Sequence, residues 1–451
     1  MRFTQMLRLD PAYTRTVVRL AYPVSLGMLS ITLLGVVDTA MLGRLGPAPL
    51  AAAGISAVAY FTLIFSLAGI GIGVQTLTAR RFGEGNHPAC GEILTSGIVL
   101  ALFLSLPFVV AAPWIAGGIA PLLSRDPQVD ALGRIYLNYR FLGAVFLLLN
   151  MVYRGFFNGL GDTKKQLHSA IIVTGVNVIL DYLLIFGHGG FPRLEIAGAA
   201  IASTAATGVG TAYFLVVSLT PNQRARFLPY RGLSRAAVWF GPILRISVPV
   251  MAQRFVSNGS FFAFFSIVAR IGTPELAASN VIRSVLGLSS MPATGLGTAA
   301  AAMVGQNLGA DRPQAAERSA WEAVRLASYL MAGIGLLFIA FPRWIFAIYT
   351  NDPTVIALGR LPLVMLGATQ ILDGMGIVLS QGLQGAGNTR YVMGVELIAC
   401  LVIYLPAAYF FGIRLHGGIV GAWSGEFLYW GIYSFLMLHK FREGSWKEIR
   451  V

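Results

Sequence analysis

An acidic residue stands inside a stretch of strongly apolar sequence at residues 174–187, TGVNVILDYLLIFG. Thr174, Asn177 and Asp181 follow one another at one-turn spacing, so they share one face of a helix. A carboxylate inside a bilayer is costly, and such groups face a cavity or a partner and often mark an ion or proton path. The alternative for one isolated acid is a structural role, with its charge neutralised by a neighbouring helix.

A second acid, Asp38, has a similar setting in LLGVVDTAMLG, and Ser203 lies in a third apolar stretch. Two carboxyl groups held close together can share a proton. Carboxylate, amide and hydroxyl oxygens together can instead coordinate a hard cation such as Na⁺. Either chemistry predicts a coupling-ion site, provided that the fold brings Asp38, Asn177, Asp181 and Ser203 together.

The composition indicates which fold must position these groups. Apolar residues make up 56% of the 451-residue chain and charged residues only 12%, with a mean hydropathy of +0.71. These values indicate an all-α polytopic membrane protein, since the alternation of period two that is typical of a β-barrel is absent. The net charge of +14 does not indicate nucleic-acid binding, because the basic residues cluster in short connections between apolar stretches.

Twelve stretches are long and apolar enough to be transmembrane helices, on the rule that a span needs roughly 20 apolar residues. An N-terminus on the cytoplasmic side places most of the flanking Lys and Arg in the cytoplasm, so we expect both termini there. We name the stretches span 1 to span 12 in chain order. Their predicted ranges are 16–43, 51–79, 93–117, 131–158, 166–187, 195–219, 243–270, 274–305, 320–341, 355–384, 391–412 and 417–438.

The chain also repeats itself at one fixed offset, which carries position 124 onto position 350. SRDPQVDALGRIYL at 124–137 returns as TNDPTVIALGRLPL at 350–363, with 8 of 14 positions identical. Six spans per repeat place the two halves in the membrane in the same orientation, as a parallel internal repeat. We therefore predict two six-helix lobes, at 1–220 and 243–451, joined by a cytoplasmic linker at 221–242. A two-lobed bundle suits alternating access around a central cavity.

The topology predicts that the polar groups of the first lobe lie at one depth. Asp38 and Asp181 each lie about five or six residues before the outer end of an outward-running span, or roughly 8–9 Å below it. Ser203 lies about eight residues into span 6, which descends from the outside. Arg140 and Arg154 in span 4 are the alternative partners that would neutralise Asp181.

The second lobe does not repeat these acids. Its own acid is Asp373 in span 10, which shares a helix face with Gln370. Arg254 in span 7 and Arg283 in span 8 are candidate partners, so that Asp373 forms either a structural ion pair or a substrate contact. Glu396 lies near the cytoplasmic end of span 11, where its side chain could reach the membrane surface.

No phosphate-binding loop, nucleophile motif or metal-ligand spacing occurs in the chain, and its histidines lie at span ends. We therefore expect no enzymatic activity and no cofactor, with transport driven by a gradient of H⁺ or Na⁺.

Four motifs resemble the multidrug and toxic compound extrusion (MATE) transporters, over about residues 15–440. They are VVDTAMLGRLG, RGFFNGLGDTK, NVILDYLLIFG and GAAIAS. Within the family the chain is most similar to the DNA-damage-inducible protein F (DinF) branch. That resemblance implies that Asp38, Asn177, Asp181 and Ser203 form a cation site, and that span 1 bends at Pro23. The sodium-coupled NorM-like branch has an acid in span 7 that this chain lacks.

The resemblance implies a secondary antiporter that exports organic, cationic or amphipathic compounds in exchange for H⁺ or Na⁺. We expect it to be a multi-pass monomer in the bacterial plasma (inner) membrane, with small molecules and lipid as its partners. The alternative within the wider superfamily is a lipid-linked oligosaccharide flippase. Cavity-facing arginines would favour that alternative, and Arg140, Arg154, Arg254 and Arg283 are the candidates.

Overall fold

The protein is helical throughout the part of the chain that a computed structural model describes. The described residues are 9–124, 126–230 and 237–451, without the side chains of Leu122 and Leu123. The helices follow the predicted order of spans, and most extend a few residues further than predicted. They extend because residues of the connecting turns, often Pro or Thr, supply the first helical turn of the next span.

Each span is one helix or a short series of helices. In chain order they are Pro11–Gly43; Pro47–Tyr60 with Ile70–Gly83; His87–Val110 with Ala112–Leu123; Pro127–Leu142 with Ala144–Gly159; Lys164–Phe186; Glu195–Ser218; Phe240–Ala269; Thr273–Gly309; Pro313–Ala340 with Pro342–Tyr349; Pro353–Gly385; Thr389–Leu397 with Leu405–Tyr409; and Gly418–Glu443.

Eight of the described helices are long and apolar enough to cross a membrane, and span 4 passes the same test as a bent pair. Spans 7, 8 and 12 carry more polar residues, but they are continuous helices of 30, 37 and 26 residues. At 1.5 Å per residue each is longer than the roughly 30 Å hydrocarbon layer.

The internal repeat is visible in how the helices touch. A methyl group added at Gly159 would lie 2.7 Å from the carbonyl oxygen of Gln75, and one added at Gly385 would lie closer still to that of Ala301. Both pairs are related by the offset of the sequence repeat. The glycines therefore let the same two helices of each repeat approach backbone to backbone.

The fold divides into two compact units. The first, here called the N-unit, is Leu26–Met251, and the second, the C-unit, is Ala252–Val451 together with the described residues up to Ser25. Each change of unit falls inside a helix, two residues after a proline: Pro23 in span 1 and Pro249 in span 7. The offset of the sequence repeat also relates these two prolines. A helix-interior proline removes one backbone hydrogen bond and weakens the helix at that point.

The predicted lobe boundaries, 1–220 and 243–451 with a linker at 221–242, stay a prediction about domain organisation. Pro221–Phe227 forms a short helix, whereas residues 231–236 of the linker lie outside the described residues.

The beginning of span 1 is anchored within the C-unit by a buried acid. The Glu322 carboxylate of span 9 accepts hydrogen bonds from the backbone N–H of Asp10, at 2.9 Å, and from the Thr14 hydroxyl. It also pairs with Arg325 at 2.9 Å. A carboxylate at a helix N-terminus satisfies free N–H groups and interacts favourably with the helix dipole.

Span 4 is bent by 44° at Gly143, between Leu142 and Ala144. The Thr204 hydroxyl of span 6 packs against Gly143, where an added methyl group would lie 2.6 Å from it, and donates to the carbonyl oxygen of Tyr139 at 3.1 Å. A side chain inserted beside the backbone ladder is an ordinary cause of a helix kink. The bend places Arg140 and the second half of span 4 on the wall of one cavity.

Candidate functional site

Asp181 and Asn177 form the centre of a buried polar site in the N-unit. The Asn177 amide donates to Oδ2 of Asp181 at 2.6 Å, and the two side chains are 2% and 0% exposed. The one-turn spacing seen in the sequence therefore becomes a direct contact along span 5. This hydrogen bond fixes the orientation of the Asp181 carboxyl group.

The carboxyl group of Asp38 in span 1 lies within hydrogen-bonding distance of that of Asp181. Two carboxyl groups can share a hydrogen bond only when one of them carries a proton. Oδ1 of each acid is buried and has no N–H or O–H donor among the described residues. A single proton between the two groups would satisfy both, because a buried acceptor without a donor is costly.

Contacts between spans 1 and 5 hold the two acids in register. The hydroxyl groups of Ser30 and Thr174 are hydrogen-bonded at 2.9 Å, about two turns before the acids on each helix. One turn earlier on each helix, Gly27 lies against Ala170, where an added methyl group would be 3.5 Å from Cβ of Ala170. These small residues allow the close helix approach that brings the carboxyl groups together.

Arg140 lies near the acid pair without forming an ion pair. Its guanidinium stacks over the ring of Tyr60, 4.5 Å from the ring centre, and it is within electrostatic range of Asp38 and Asp181. Within the described residues, neither acid has an arginine or lysine nitrogen within 4.0 Å. The predicted alternative, direct neutralisation of Asp181 by Arg140 or Arg154, is therefore not formed in this structure.

A cavity of about 410 Å³ opens beside the acids within the N-unit. Asp38, Asn177 and Ser203 lie on its wall, and Asp181 is buried next to them. Apolar groups make up most of the remaining wall: Ile31, Leu34, Leu42, Leu50, Phe61, Phe65, Leu147, Met151 and Val173. The structure thus collects the four predicted coupling residues at one cavity.

Irregular helix geometry in span 2 supplies the aromatic part of this wall. Residues Phe61–Phe65 form a turn of π-helix, and the two phenylalanine rings pack edge to face with 5.5 Å between centres. An extra residue in a helical turn rotates the following side chains, and such turns are frequent at functional sites.

Two polar residues of the cavity wall, Asn150 and Thr207, were not predicted from the sequence. Asn150 links spans 4 and 6 by donating to the Thr207 carbonyl oxygen at 3.0 Å and to the Thr211 hydroxyl at 2.6 Å. Asn150 and Arg154 are one turn apart in an apolar span, which is the same signal that identified Asn177 and Asp181.

The second group of predicted site residues lies in the C-unit, around Asp373, and its members make fewer contacts with one another than those around Asp181 do. Asp373 and Gln370 are 4% and 1% exposed, and Oδ1 and Oε1 have no hydrogen-bond donor among the described residues. No described arginine or lysine nitrogen lies within 4.0 Å of Asp373. Arg283 instead stacks over Phe261 at 4.4 Å. The predicted ion pair with Arg283 or Arg254 is therefore not formed here, and the substrate role of Asp373 stays a prediction.

Comparison with known proteins identifies the family. The MatE family model matches residues 23–183 and 249–410, so that its two matches begin at Pro23 and Pro249. The chain is 31% identical to a multidrug resistance protein NorM of Burkholderia vietnamiensis, over 90% of this chain and 89% of that protein. It is 26% identical to a probable multidrug resistance protein NorM of Thermotoga maritima, over 97% and 94%.

Among solved structures, the fold is similar to that of a multidrug resistance MATE family transporter in an outward-facing conformation. The TM-score is 0.88 at 21% identity, with 100% of this chain and 99% of that chain covered. The predicted fold class, twelve transmembrane helices in two six-helix lobes, is confirmed. The chain belongs to the MATE family of membrane transporters.

Proposed function

We propose that this chain is a secondary antiporter that exports organic compounds in exchange for H⁺ or Na⁺ by alternating access. The observation that supports the proposal is the contact between the Asp38 and Asp181 carboxyl groups at the edge of an apolar cavity. A buried carboxylate is costly unless its charge is neutralised, so this pair of acids is suited to binding a cation and releasing it during the cycle.

The coupling ion acts at Asp38, Asn177, Asp181 and Ser203. A proton fits between the two acids, because Oδ1 of each is buried and lacks a donor among the described residues. A sodium ion would use the same carboxylate oxygens with the Asn177 and Ser203 oxygens, since Na⁺ needs several oxygen ligands. No further cofactor is required by this scheme.

The proposed substrates are cationic or amphipathic compounds with a large apolar part. The cavity volume of about 410 Å³ falls in the range of small-molecule sites, roughly 300–1,000 Å³. Phe61 and Phe65 offer aromatic faces, and Asp38 offers a negative group. Aromatic rings and a carboxylate together suit an organic cation.

Pro23 is the proposed hinge of span 1, because the change of unit in that helix falls two residues after it. We further propose a DinF-like monomer in the bacterial plasma membrane, with both termini cytoplasmic and small molecules as its partners.

Transport by inverted membrane vesicles, with and without an imposed H⁺ or Na⁺ gradient, tests the proposal. Asp38→Asn and Asp181→Asn should each abolish gradient-driven transport of an organic dye while leaving the protein folded. Asp130→Asn is the matched control, because Asp130 forms a surface ion pair with Arg134 at 2.8 Å. Wild-type rates and ion dependence in either buried variant would show that the coupling assignment is wrong.

Asp373 is tested by the same assay with two dyes. If it contacts a cationic substrate, Asp373→Asn should keep wild-type thermal stability, lose export of a cationic dye and retain export of a neutral one. Unchanged stability together with unchanged export of both dyes would remove the proposed role.

A lipid-linked oligosaccharide flippase is the second candidate function. Arg140 and Arg154 both lie on the cavity wall, and guanidinium groups suit the phosphates of such a lipid. Vesicles that translocate a fluorescent lipid-linked oligosaccharide without an ion gradient, and that export no dye, would favour this function.

A further inference from the structure

Two buried glutamates of the C-unit are not explained by the proposed coupling site. Glu396 in span 11 is 3% exposed and Glu426 in span 12 is 6% exposed. The expectation that Glu396 extends to the membrane surface is wrong. Its side chain points at span 12, where it meets polar partners that the sequence alone did not place beside it.

Glu396 is surrounded by hydrogen-bond donors. Its Oε1 accepts from the Tyr429 hydroxyl at 3.1 Å and from Cys400 Sγ at 3.4 Å, and its Oε2 accepts from the Gln253 amide at 3.3 Å. The Ser257 hydroxyl is also within hydrogen-bonding distance. Donors aimed at a carboxylate stabilise its ionised form in a buried site.

Glu426 has fewer donors. The Trp430 indole N–H donates to its Oε1 at 3.2 Å, and the Tyr404 hydroxyl lies close by without a well-formed hydrogen bond. Glu426 is within electrostatic range of Glu396 and of Asp373. The pair is therefore asymmetric: Glu396 is better equipped to carry the charge, and Glu426 to carry a proton.

The charge of the pair is not balanced by a neighbouring cation. Across the described residues, no arginine or lysine nitrogen lies within 4.0 Å of either glutamate. Two unpaired buried charges would cost far more than one, since each must leave water without compensation. The charged or titratable side chains near the pair are Asp373, Cys400, Tyr404, Tyr429, Tyr433 and, through Tyr404, Arg283.

The chemistry of the partners selects a proton over a metal ion. A bound Na⁺ needs lone pairs directed at it, whereas hydroxyl, thiol and amide groups direct hydrogen atoms at Glu396. Within the described residues, no group of three His, Cys, Asp or Glu side chains could hold a metal ion.

We propose that Glu396 and Glu426 form a second proton-binding site, which holds one exchangeable proton between spans 11 and 12 of the C-unit. The site is chemically distinct from the Asp38 and Asp181 pair, because its acids are surrounded by tyrosine, tryptophan and cysteine. Its proton occupancy can be measured without transport, so the proposal does not depend on the antiport mechanism.

A chain of amide groups leads from the pair toward a helix end. Gln384 donates to Oε1 of Gln253 at 3.0 Å, and Gln253 in turn donates to Glu396. Gln384 is the second-last residue of span 10, on the side of the C-unit where Gly387 packs against the C-terminal Val451. Polar side chains therefore extend from Glu396 to the last turn of span 10.

Infrared spectroscopy of the full-length protein in liposomes tests the proposal directly, because a protonated carboxyl group has its own C=O stretching band. Glu426→Gln should remove one such band that titrates with pH in the wild type, and Glu396→Gln should shift or remove the same band. Asp38→Asn and Asp181→Asn should leave that band in place, which separates the two sites.

Two tyrosines provide a matched comparison on the same helix pair. Tyr429→Phe removes a donor to Glu396 and should shift the band, whereas Tyr391→Phe should not, because Tyr391 donates to the Leu436 carbonyl oxygen at 3.0 Å. If a glutamine variant does not fold, Trp430→Phe gives the second readout, as it removes the donor to Glu426. Wild-type bands in all the variants that touch the pair would overturn the proposal.

Discussion

Replacing Asn177 with leucine removes the donor to Asp181 in the proposed coupling site while keeping the number and branching of the heavy atoms in the side chain. In the wild type this amide lies 2.6 Å from Oδ2 of a fully buried carboxylate. With one proton shared between Asp38 and Asp181 the pair keeps one negative charge, and a hydrogen bond to a charged group contributes about 1.5–3 kcal/mol. Asn177→Leu should therefore lower the free energy of unfolding by about 1.5–3 kcal/mol, which is roughly a 10- to 100-fold change in the folding equilibrium.

A double-mutant cycle isolates this interaction. On the Asp181→Asn background the acceptor is a neutral amide, so that the same Asn177→Leu change should cost only about 0.5–1.5 kcal/mol. The coupling energy between the two positions should then be about 1–1.5 kcal/mol, within the usual range for residues in contact. Equilibrium unfolding in mixed micelles, with the four proteins side by side, measures each term.

Asn280→Leu is the control for the substitution itself. Asn280 is exposed, and among the described residues its amide donates to the Leu276 carbonyl oxygen of its own helix, at 3.1 Å. We expect it to change stability by less than about 0.5 kcal/mol. Additive costs at Asn177 and Asp181, or an Asn177→Leu cost no larger than that of the control, would refute the claim that the amide orients the buried carboxylate.

Three further predictions concern the helices that carry the site. Gly155→Ala should destabilise the protein by about 1–3 kcal/mol, because its methyl group would overlap the Gly71 carbonyl oxygen; Gly175→Ala, with open space around it, should have no such cost in the same thermal melts. Glu322→Gln should lower stability by about 1–3 kcal/mol and expose the start of span 1 to faster hydrogen exchange. Pro23→Ala should raise the melting temperature, because it restores a helical hydrogen bond, and slow transport in vesicles.

Each of these has a clear opposite result. Equal melting temperatures for the two alanine variants would show that the contact between Gly155 and Gly71 can accommodate a methyl group. Unchanged exchange at the start of span 1 in Glu322→Gln would mean that the acid does not anchor it. Wild-type transport by Pro23→Ala would remove the hinge from the mechanism.

Much of the proposed coupling site could be predicted, because the sequence gives both the depth of a residue in its span and the helix face on which it lies. Asp38 and Asp181 lie at similar distances from their span ends, and Asn177 precedes Asp181 by one turn. Those facts predicted the meeting of the four residues at one cavity. What they left open was the partner of each acid, because Arg140 lies at a depth from which it could reach Asp181 but stacks on Tyr60 instead.

The C-unit shows why depth alone is not enough. Glu396 lies near a span end, which allowed an extended side chain, yet the phase of span 11 turns it toward Tyr429. After Glu396, π-helical turns at Ile398–Tyr404 and Phe410–Arg414 change which face of span 11 the later residues occupy, and no sequence pattern predicts these turns. Arg283 likewise lies at a depth suited to Asp373, but aromatic neighbours on span 7 offered it a cation–π contact.

The bend of span 4 is a third feature that the sequence did not predict. The bend is caused by a contact between two spans, in which the Thr204 hydroxyl packs against Gly143. The sequence of either span alone does not predict this contact. Tertiary contacts of this kind decide which side chains of a long apolar helix reach a cavity.

The central claim is that ion and substrate move in opposite directions through one coupled cycle. Purified protein in liposomes that enclose a pH-sensitive or sodium-sensitive dye tests it most directly, with a substrate gradient as the only driving force. We predict that downhill substrate flux moves H⁺ or Na⁺ uphill in the opposite direction in the wild type, and that Asp181→Asn moves none. Substrate flux without ion movement in the wild type, or undiminished ion movement in Asp181→Asn, would contradict the account.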